Sequence, residues 1–361
     1  MNERQFPRDL RALFDLFRFY RPELGLQALL MDVDLTGLTA TDVYRACHGR
    51  VPETPEMASA HERMGIRRLF EVALRSREFR TLFVPRFIAA YPEKRCLSFI
   101  HVPKSAGSDL SAHLITRFPS LRTTIIDPDL GSEAAFFAAV KDIVLESAVS
   151  EHVYIHGHNT LETYARWGAA RPQDHLFTTI REPISLLVSQ VNYVLTRMAS
   201  PETPMAPDTA GWRSIFGVDD PARLEDRGEV LRLAATILRD QGVVPADNTC
   251  RFLGDGTAEG AIAAMVRHDV EITDLRRYPL WSQQRWAVRD TSTRANASRP
   301  YVRLEDFSPE DRSHMHAITA QDQVLHAYVA RRLDATGQAS LRGAALRDRP
   351  AAAEMALARG A

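Results

Sequence analysis

The sequence predicts an α/β fold in which helices flank a parallel sheet, preceded by a helical N-terminal extension. Apolar residues in the first 92 positions recur at helical spacing, and from Phe99 onward strand-like and helix-like segments alternate. Such alternation is typical of a parallel sheet with helices on both faces. We therefore divide the chain into a helical module (residues 1–92), an α/β domain (93–335) and an Ala/Arg-rich tail (336–361).

The N-terminal module is predicted to consist of helices. Residues 10–17 and 66–74 each place their apolar side chains on one helical face. Residues 43–50 and 74–79 weakly resemble the Y-R-x-x-x-G-R and S-x-E-F pattern of a helical module in bacterial surface and glycan-associated proteins. A link to glycans would follow from that pattern, but we favour a simpler interpretation, a helical cap that packs on the core.

The α/β domain is predicted element by element from its periodicity. Short apolar runs indicate strands, and longer segments with apolar residues at helical spacing indicate helices. In chain order the predicted elements are strand Thr123–Ile126, helix Glu133–Ala148, strand Val153–His156, helix Leu161–Trp167 and strand Leu176–Ile180.

The segment from Cys96 to Leu110 predicts a buried strand, a turn of small residues and a helix. The small residues 105–108 allow backbone N–H groups to approach an anion, and the helix start adds its positive dipole end. Lys104 supplies a full charge. Because this lysine precedes the small residues, whereas a Walker A lysine follows the glycines, a kinase or ATPase fits poorly. A purely structural turn is the alternative.

A second segment, residues 175–197, predicts a strand that leads directly into a helix with Pro183 in its first turn. Arg181 follows the strand, and ligands of open α/β sheets collect at carboxyl strand ends, so Arg181 is well placed to bind a phosphate. Ser189, about two helical turns further on, could donate its hydroxyl to the same anion or simply pack. The alternative for Arg181 is a surface ion pair with Glu182.

These motifs resemble those of the sulfotransferases that use 3′-phosphoadenosine 5′-phosphosulfate (PAPS), especially the heparan and dermatan uronyl 2-O-sulfotransferases of the carbohydrate branch. Val102–Ser108 resembles the family's 5′-phosphosulfate loop, and Ile180–Ser189 resembles its 3′-phosphate motif. Tyr154–His158 resembles the HGH segment of that branch. Two later segments resemble its N-x-x-x-R-x-L-x-G segment and its closing helix, namely Asn248–Gly254 and Asp322–Tyr328.

The resemblance covers roughly residues 94–335 and implies a P-loop-like sulfotransferase fold. It implies an enzyme that moves a sulfuryl group from PAPS to a hydroxyl, in the first place on a carbohydrate, and releases adenosine 3′,5′-bisphosphate (PAP). Lys104 would stabilise the leaving phosphate, His158 would be the general base, and His156 would assist or orient. No metal ion is expected. The residues implied to bind the donor are Lys104, Ser105, Ala106, Gly107, Ser108, Asp109, Arg181 and Ser189.

Two residues depart from the family's pattern. Asp109 stands where Ser or Thr is usual, and a carboxylate there would weaken phosphate binding unless it points away as a helix cap. Leu186 replaces the second arginine of the 3′-phosphate motif, so one contact of the family is missing. Because Lys104, Arg181 and Ser189 are retained, we expect an active member with altered details.

Several alternatives stay open. His156 and His158 would share a strand face with Tyr154, where an HxH pair could also bind zinc or form a hydrogen-bonded core pair. The acceptor could instead be a small natural product or a peptide tyrosine. The chain could also be a nucleotide-binding relative without catalysis, or a nucleotide kinase, which would require magnesium.

Two further regions are candidates for ligand recognition. Residues 200–226 contain several prolines and acidic residues, which is typical of a long functional loop or of disorder, and we expect acceptor selection partly there. Downstream arginines either attract an anionic acceptor, contact the nucleotide, or form a solvated face. They are Arg276, Arg277, Arg285, Arg289, Arg294 and Arg299.

The composition sets the outer limits. With 45% hydrophobic and 25% charged residues and a net charge of −1, the chain is an ordinary globular protein without signs of a nucleic-acid partner. Cys47, Cys96 and Cys250 are widely spaced, which favours a reducing compartment over a disulfide framework. No segment is typical of a signal peptide or a membrane span. We therefore expect a cytoplasmic, bacterial enzyme; its oligomeric state is not predicted.

Overall fold

A computed structural model of the chain describes residues 4–123, 132–200, 209–288 and 300–347. The chain divides into two compact units. The first comprises Met1–Phe99, Leu114–Gly157 and Thr163–His175, and the second comprises Ile100–His113, His158–Glu162 and Leu176–Ala361.

The N-terminal part of the first unit is helical, as predicted. Side-chain caps start several of its helices: Thr39 and Asp42 form a capping box at α3, and the Thr54 hydroxyl accepts from Met57 N at α4. The helices are α1 (Leu10–Leu16), α2 (Gly25–Met31), α3 (Ala40–His48), α4 (Pro55–Met64), α5 (Ile66–Arg75), α6 (Arg77–Thr81) and α7 (Phe83–Ala90).

A small parallel pair of strands accompanies these helices. Strand β1 (Arg4–Gln5) pairs with β2 (Val33–Asp34). The sequence does not predict this pair, because two residues are too few for a period-2 pattern to appear.

The motif residues of the N-terminal module hold its helices together. The Arg50 guanidinium binds the Glu78 carboxylate with both arms, at 2.9 and 2.8 Å. Gly49 ends α3 in the left-handed conformation, with a φ of 66° that favours glycine. The Ser76 hydroxyl accepts from Phe79 N at 3.1 Å and so caps α6. These contacts explain the G-R and S-x-E-F residues by structure alone.

An aromatic core joins the N-terminal helices to α9 (Glu133–Ser147) within the first unit. Phe17 stacks on Phe137 with ring centroids 5.6 Å apart, and Phe83 meets Phe136 edge-on at 5.5 Å. All four side chains are buried. The N-terminal helices therefore pack as a cap on this core.

Among the described residues, five strands form a parallel sheet flanked by helices, so the predicted α/β class is confirmed. Leu121 pairs with Ile155 on the neighbouring strand, and Thr178 pairs with Ile272. The strands are β3 (Arg95–Ile100), β4 (Ser120–Arg122), β5 (His152–Gly157), β6 (His175–Ile180) and β7 (Glu271–Asp274), in the spatial order β4-β5-β3-β6-β7.

Of the predicted strand Thr123–Ile126, only Thr123 lies within the described residues, and it follows an observed strand, β4. Strand β4 ends at Arg122, and residues 124–126 lie outside the described part of the chain. In β4 only Leu121 is buried, because β4 lies at the edge of the sheet. A three-residue edge strand with polar ends gives little hydrophobic signal, which is why the sequence prediction missed it.

The strand order creates a switch point. After β3 the chain crosses to the edge strand β4 and returns to β5 on one side of β3, and from β5 it crosses to β6 and then β7 on the other side. Ligands of open parallel sheets bind outside the carboxyl ends of strands at such a point. The helices that follow these strands are α8 (Gly107–Leu114) after β3, α10 (Leu161–Arg166) after β5 and α11 (Pro183–Ala199) after β6.

The core of the second unit lies between α11 and the helices packed on it. Val191 and Leu195 of α11 are fully buried together with Leu233 and Ile237 of the helix Arg227–Arg239. The helices that complete this unit are α12 (Thr209–Phe216), α13 (Arg227–Arg239), α14 (Asn248–Leu253), α15 (Ala258–Arg267), α16 (Tyr278–Trp286), α17 (Pro309–Ile318) and α18 (Ala320–Thr336).

The expectation of a long loop over residues 200–226 is wrong for the part that is described. Helix α12 and a 3-10 turn, Pro221–Glu225, occupy it. Trp212 and Phe216, four residues apart, stack with ring centroids at 6.4 Å. The prolines and acids concealed this helical spacing; residues 201–208 lie outside the described part.

Two segments chosen for their family resemblance, residues 248–254 and 322–328, meet at the starts of α14 and α18. The Asp322 carboxylate accepts from Thr249 N at 3.0 Å and Cys250 N at 2.8 Å. In return Asp247 accepts from Gln321 N at 2.8 Å. These reciprocal caps satisfy helix-terminal N–H groups, so both segments contribute to stability.

The described part of the predicted tail extends the edge of the sheet. Leu341 forms an antiparallel bridge with Ile272, with N–H···O distances of 2.8 and 2.9 Å. The Thr273 hydroxyl donates to Ala339 O at 2.7 Å. These contacts satisfy backbone groups along one edge of β7. The part of the predicted tail from residue 348 onward lies outside the described residues.

The three cysteines are free and buried. Burial raises the pKa of the Cys96 thiol to about 12 and also raises the pKa values of Cys47 and Cys250. In the described part of the chain, no helix is both long and apolar enough to cross a membrane.

Candidate functional site

The candidate site is built on the loop between β3 and α8, at the switch point of the sheet. Residues 101–106 form this loop, and we call it the anion loop. Strand β6 ends beside it at Ile180, and Arg181 follows. The predicted strand-turn-helix units are therefore present on both neighbouring strands, and their polar residues follow the carboxyl ends.

The backbone of the anion loop is strained at two positions. Lys104 has a φ of 67° and Ala106 a φ of 65°, although neither is glycine. Left-handed geometry at a non-glycine residue costs about 1–3 kcal/mol and persists only where the surroundings enforce it. Such geometry also turns neighbouring N–H groups toward a common concavity, which is a recurring way to bind anions.

Threonines of β6 anchor this loop. Thr178 Oγ1 donates to Ile100 O at 2.8 Å, and Thr179 Oγ1 donates to Ser105 O. Ser105 is fully buried and its hydroxyl donates to Val102 O at 2.6 Å. Ser105 therefore holds the loop from inside. The threonine anchors were not predicted from the sequence, since buried threonines in strands usually only pack.

Lys104 and Arg181 lie together, as their strand-end positions suggested. Arg181 Nη1 donates to Lys104 O at 3.3 Å. The Lys104 ammonium lies 4.5 Å from the centre of the Tyr193 ring, and Arg197 Nε donates to the Tyr193 hydroxyl at 3.0 Å. Tyr193 and Arg197 were missed by sequence reasoning, although their spacing of four residues on a predicted helix places them on one face.

The electrostatics of Lys104 follow from these neighbours. Burial, and then the nearby Arg181 and Arg197 guanidinium groups, lower its pKa to about 8. Nearby positive charge disfavours the charged form of lysine. The second half of α11 therefore extends the cationic character of the site beyond Arg181.

Glu182 and Ser189 occupy different places on α11. The Glu182 carboxylate caps the helix, accepting from Ile184 N at 3.0 Å and Ser185 N at 2.6 Å. The Glu182 carboxylate therefore stabilises the first turn of α11. Ser189 is half-buried, about two turns into the helix.

His158 lies beside a histidine that sequence reasoning did not single out. His158 is exposed, one residue past the end of β5, and its ring meets the His101 ring edge-on at 4.6 Å between centroids. His101 packs against Gly107, at which any Cβ would overlap the imidazole atoms Cδ2 and Nε2. Its position directly after a buried strand and before Lys104 was the available signal.

His156 lies within β5 and packs differently. Its ring stacks on Tyr154, with centroids 4.8 Å apart and planes 6° from parallel. This contact agrees with the alternation of side chains along a strand. Burial, and to a smaller extent Arg122, lower the pKa of His156 to about 4. His156 is therefore neutral near pH 7.

The two departures from the family pattern have distinct environments. Asp109 lies in the first turn of α8 and, after burial, is the neighbour that raises the pKa of the Tyr278 phenol. Leu186 is buried and lines a cavity of about 180 Å³. The other lining residues are Pro103, Leu187, Gln190, Gly242, Val243, Val244, Pro245 and Asn248.

The described downstream arginines form structural ion pairs. Arg277 binds Asp274 at 2.7 Å, and Arg276 approaches the same carboxylate at 3.2 Å. Arg285 lies 3.5 Å from Glu271. These contacts favour a structural role for the three residues. The others, Arg289, Arg294 and Arg299, lie outside the described residues.

Within residues 4–123, 132–200, 209–288 and 300–347, no group of three or more His, Cys, Asp or Glu side chains is arranged to hold a metal ion. No protein-family model, curated protein or solved structure matches this chain.

Proposed function

We propose that this protein is a PAPS-dependent sulfotransferase that acts on a hydroxyl group, in the first place of a carbohydrate. One observation carries the proposal: the anion loop places Lys104 beside Arg181 at the switch point of the sheet. A nucleotide with phosphates at two positions needs cationic groups and free N–H groups at separate points. In this proposal the anion loop and the start of α8 bind one phosphate, and Arg181 with α11 binds the other.

The chemistry requires little beyond charge and position. In the proposed step the acceptor oxygen forms a bond to sulfur while the bond between sulfur and the bridging phosphate oxygen breaks, and PAP leaves with the electron pair. Lys104 stabilises the charge that grows on the leaving oxygen. With a pKa of about 8, Lys104 is mostly protonated at pH 7 and can do so.

The acceptor hydroxyl must lose its proton in the same step. His158 is exposed and belongs to the same compact unit as the anion loop, so we assign it as the general base. Ser189 is assigned to the second phosphate together with Arg181. The donor-binding set otherwise remains Lys104 to Asp109.

Calorimetry with PAP tests the proposal. The wild-type chain should bind PAP in the presence of a chelator, and adenosine 5′-monophosphate should bind much more weakly because it lacks the 3′-phosphate. Lys104→Ala and Arg181→Ala should each weaken PAP binding by about tenfold or more, since hydrogen bonds to charged groups contribute about 1.5–3 kcal/mol. The matched control is Arg232→Ala, whose guanidinium pairs with Glu229 on the surface of α13.

The outcomes separate the alternatives. Tight PAP binding without product from any carbohydrate, small-molecule or tyrosine-peptide acceptor would indicate a nucleotide-binding relative without catalysis. Binding that disappears with the chelator would favour a magnesium-dependent kinase. Absence of PAP binding would remove the sulfotransferase proposal.

A further inference from the structure

The imidazole of His101 lies between Gly107 and the ring of His158. It follows the central strand β3 directly, and its ring packs against Gly107, the first residue of α8. On the other side it meets the ring of His158 at 4.6 Å with an angle of 63° between planes. His101 is half-buried, whereas His158 is exposed and lies outside any strand or helix.

The contact with the His101 ring restricts the rotamers of the His158 side chain. An exposed residue in a bend samples several rotamers, and each alternative rotamer would move the imidazole away from a productive position. An edge-on ring contact restricts these rotamers. The His101 ring is itself limited by its place after β3 and by the close approach to Gly107.

We propose that His101 is a positioning residue that holds the His158 imidazole at the anion loop. The inference rests on the proposed function, because His158 is the base of that reaction. It assigns to His101 the assisting role that the family resemblance gave to His156. It also gives a reason for glycine at position 107, since a side chain there would displace the His101 ring.

Histidine NMR tests the contact without any ligand. The full chain, with its 12 histidines labelled in the ring, is compared with variants, and the His158 signals are assigned with His158→Gln. In His101→Leu the His158 ring signals should shift because the neighbouring ring current is lost. In the control His316→Leu, an exposed histidine on α17, they should stay in place. Gly107→Ala, which retains both imidazoles, should shift them as well.

Steady-state kinetics test whether His101 positions His158 for catalysis. PAP release from PAPS is measured with a mixture of unsulfated polysaccharides as acceptors. His101→Leu should lower kcat by about tenfold or more while the KM for PAPS stays within about twofold, since a general base contributes about 10²–10⁴-fold. His101→Phe retains a ring against His158 and should recover most of kcat. A structural defect alone would not lower kcat while leaving the KM for PAPS unchanged, and His101→Phe would not restore kcat.

The outcomes decide the inference. Unmoved His158 signals in His101→Leu would overturn it, and so would a higher KM for PAPS with unchanged kcat, which would place His101 on the donor. If wild-type protein binds no PAP or shows no turnover, the kinetic arm is lost with the proposed function. The NMR comparison then decides by itself whether His101 holds His158.

Discussion

Binding of PAP is expected to restore a proton that Lys104 partly loses in the free protein. Its pKa is about 8 because of burial and the nearby Arg181 and Arg197. A phosphate at the anion loop adds negative charge next to the ammonium. The pKa of Lys104 should then return toward its ordinary value of about 10.4.

The size of the effect follows from the two pKa values. A lysine with a pKa of about 8 is about half protonated at pH 8 and about one-tenth protonated at pH 9. Complex formation should therefore take up about 0.5 proton at pH 8, about 0.9 at pH 9 and no more than about 0.1 at pH 7. Because the complex has the higher pKa, affinity falls as pH rises above 8, by up to about tenfold per pH unit.

Calorimetry in buffers with different ionisation enthalpies measures this uptake directly. The slope of the observed enthalpy against the buffer enthalpy gives the number of protons bound. The second pKa of a phosphate group is about 6, so this ionisation is nearly complete by pH 7.5, and the window from pH 7.5 to 9 isolates Lys104. The control is Lys104→Met, which should bind more weakly and without uptake. Tight PAP binding with no proton uptake at pH 9, or equal proton uptake in Lys104→Met, would show that Lys104 is not the group that gains the proton.

Two further predictions concern the stability of the fold. Gly107→Ala should lower the free energy of unfolding by about 1–3 kcal/mol in urea titrations, because the new methyl group overlaps the His101 ring. In a His101→Ala background the loss should be smaller. Equal losses in the two backgrounds would show that the overlap with the His101 ring does not cause the destabilisation. Asp322→Ala should lower the free energy of unfolding by about 2 kcal/mol or more in the same measurement, since two backbone N–H groups lose a buried acceptor. Asp322→Asn should lower it less. An unchanged urea midpoint in Asp322→Ala would mean that water replaces the carboxylate as acceptor.

The sequence predicted the local units of the site correctly. The apolar runs before Lys104 and Arg181 are β3 and β6, and Pro183 stands at the start of α11. These features depend on periodicity and on turn and cap residues, which operate over a few neighbouring positions. The edge strand β4 and helix α12 were predicted poorly for the same reason, because their local patterns are short or interrupted by polar residues.

The α/β class, the lysine in the anion loop and the place of Arg181 after its strand could be predicted from the sequence, whereas His158, expected on the strand face beside Tyr154, lies past the end of β5. Three contacts could not be predicted from local patterns: Thr179 with Ser105 in the anion loop, the Lys104 ammonium with the Tyr193 ring, and His101 with His158. In each pair the two residues lie far apart in the sequence. Such contacts depend on which strands are neighbours in the sheet and on how helices pack, and local periodicity carries no information about strand order.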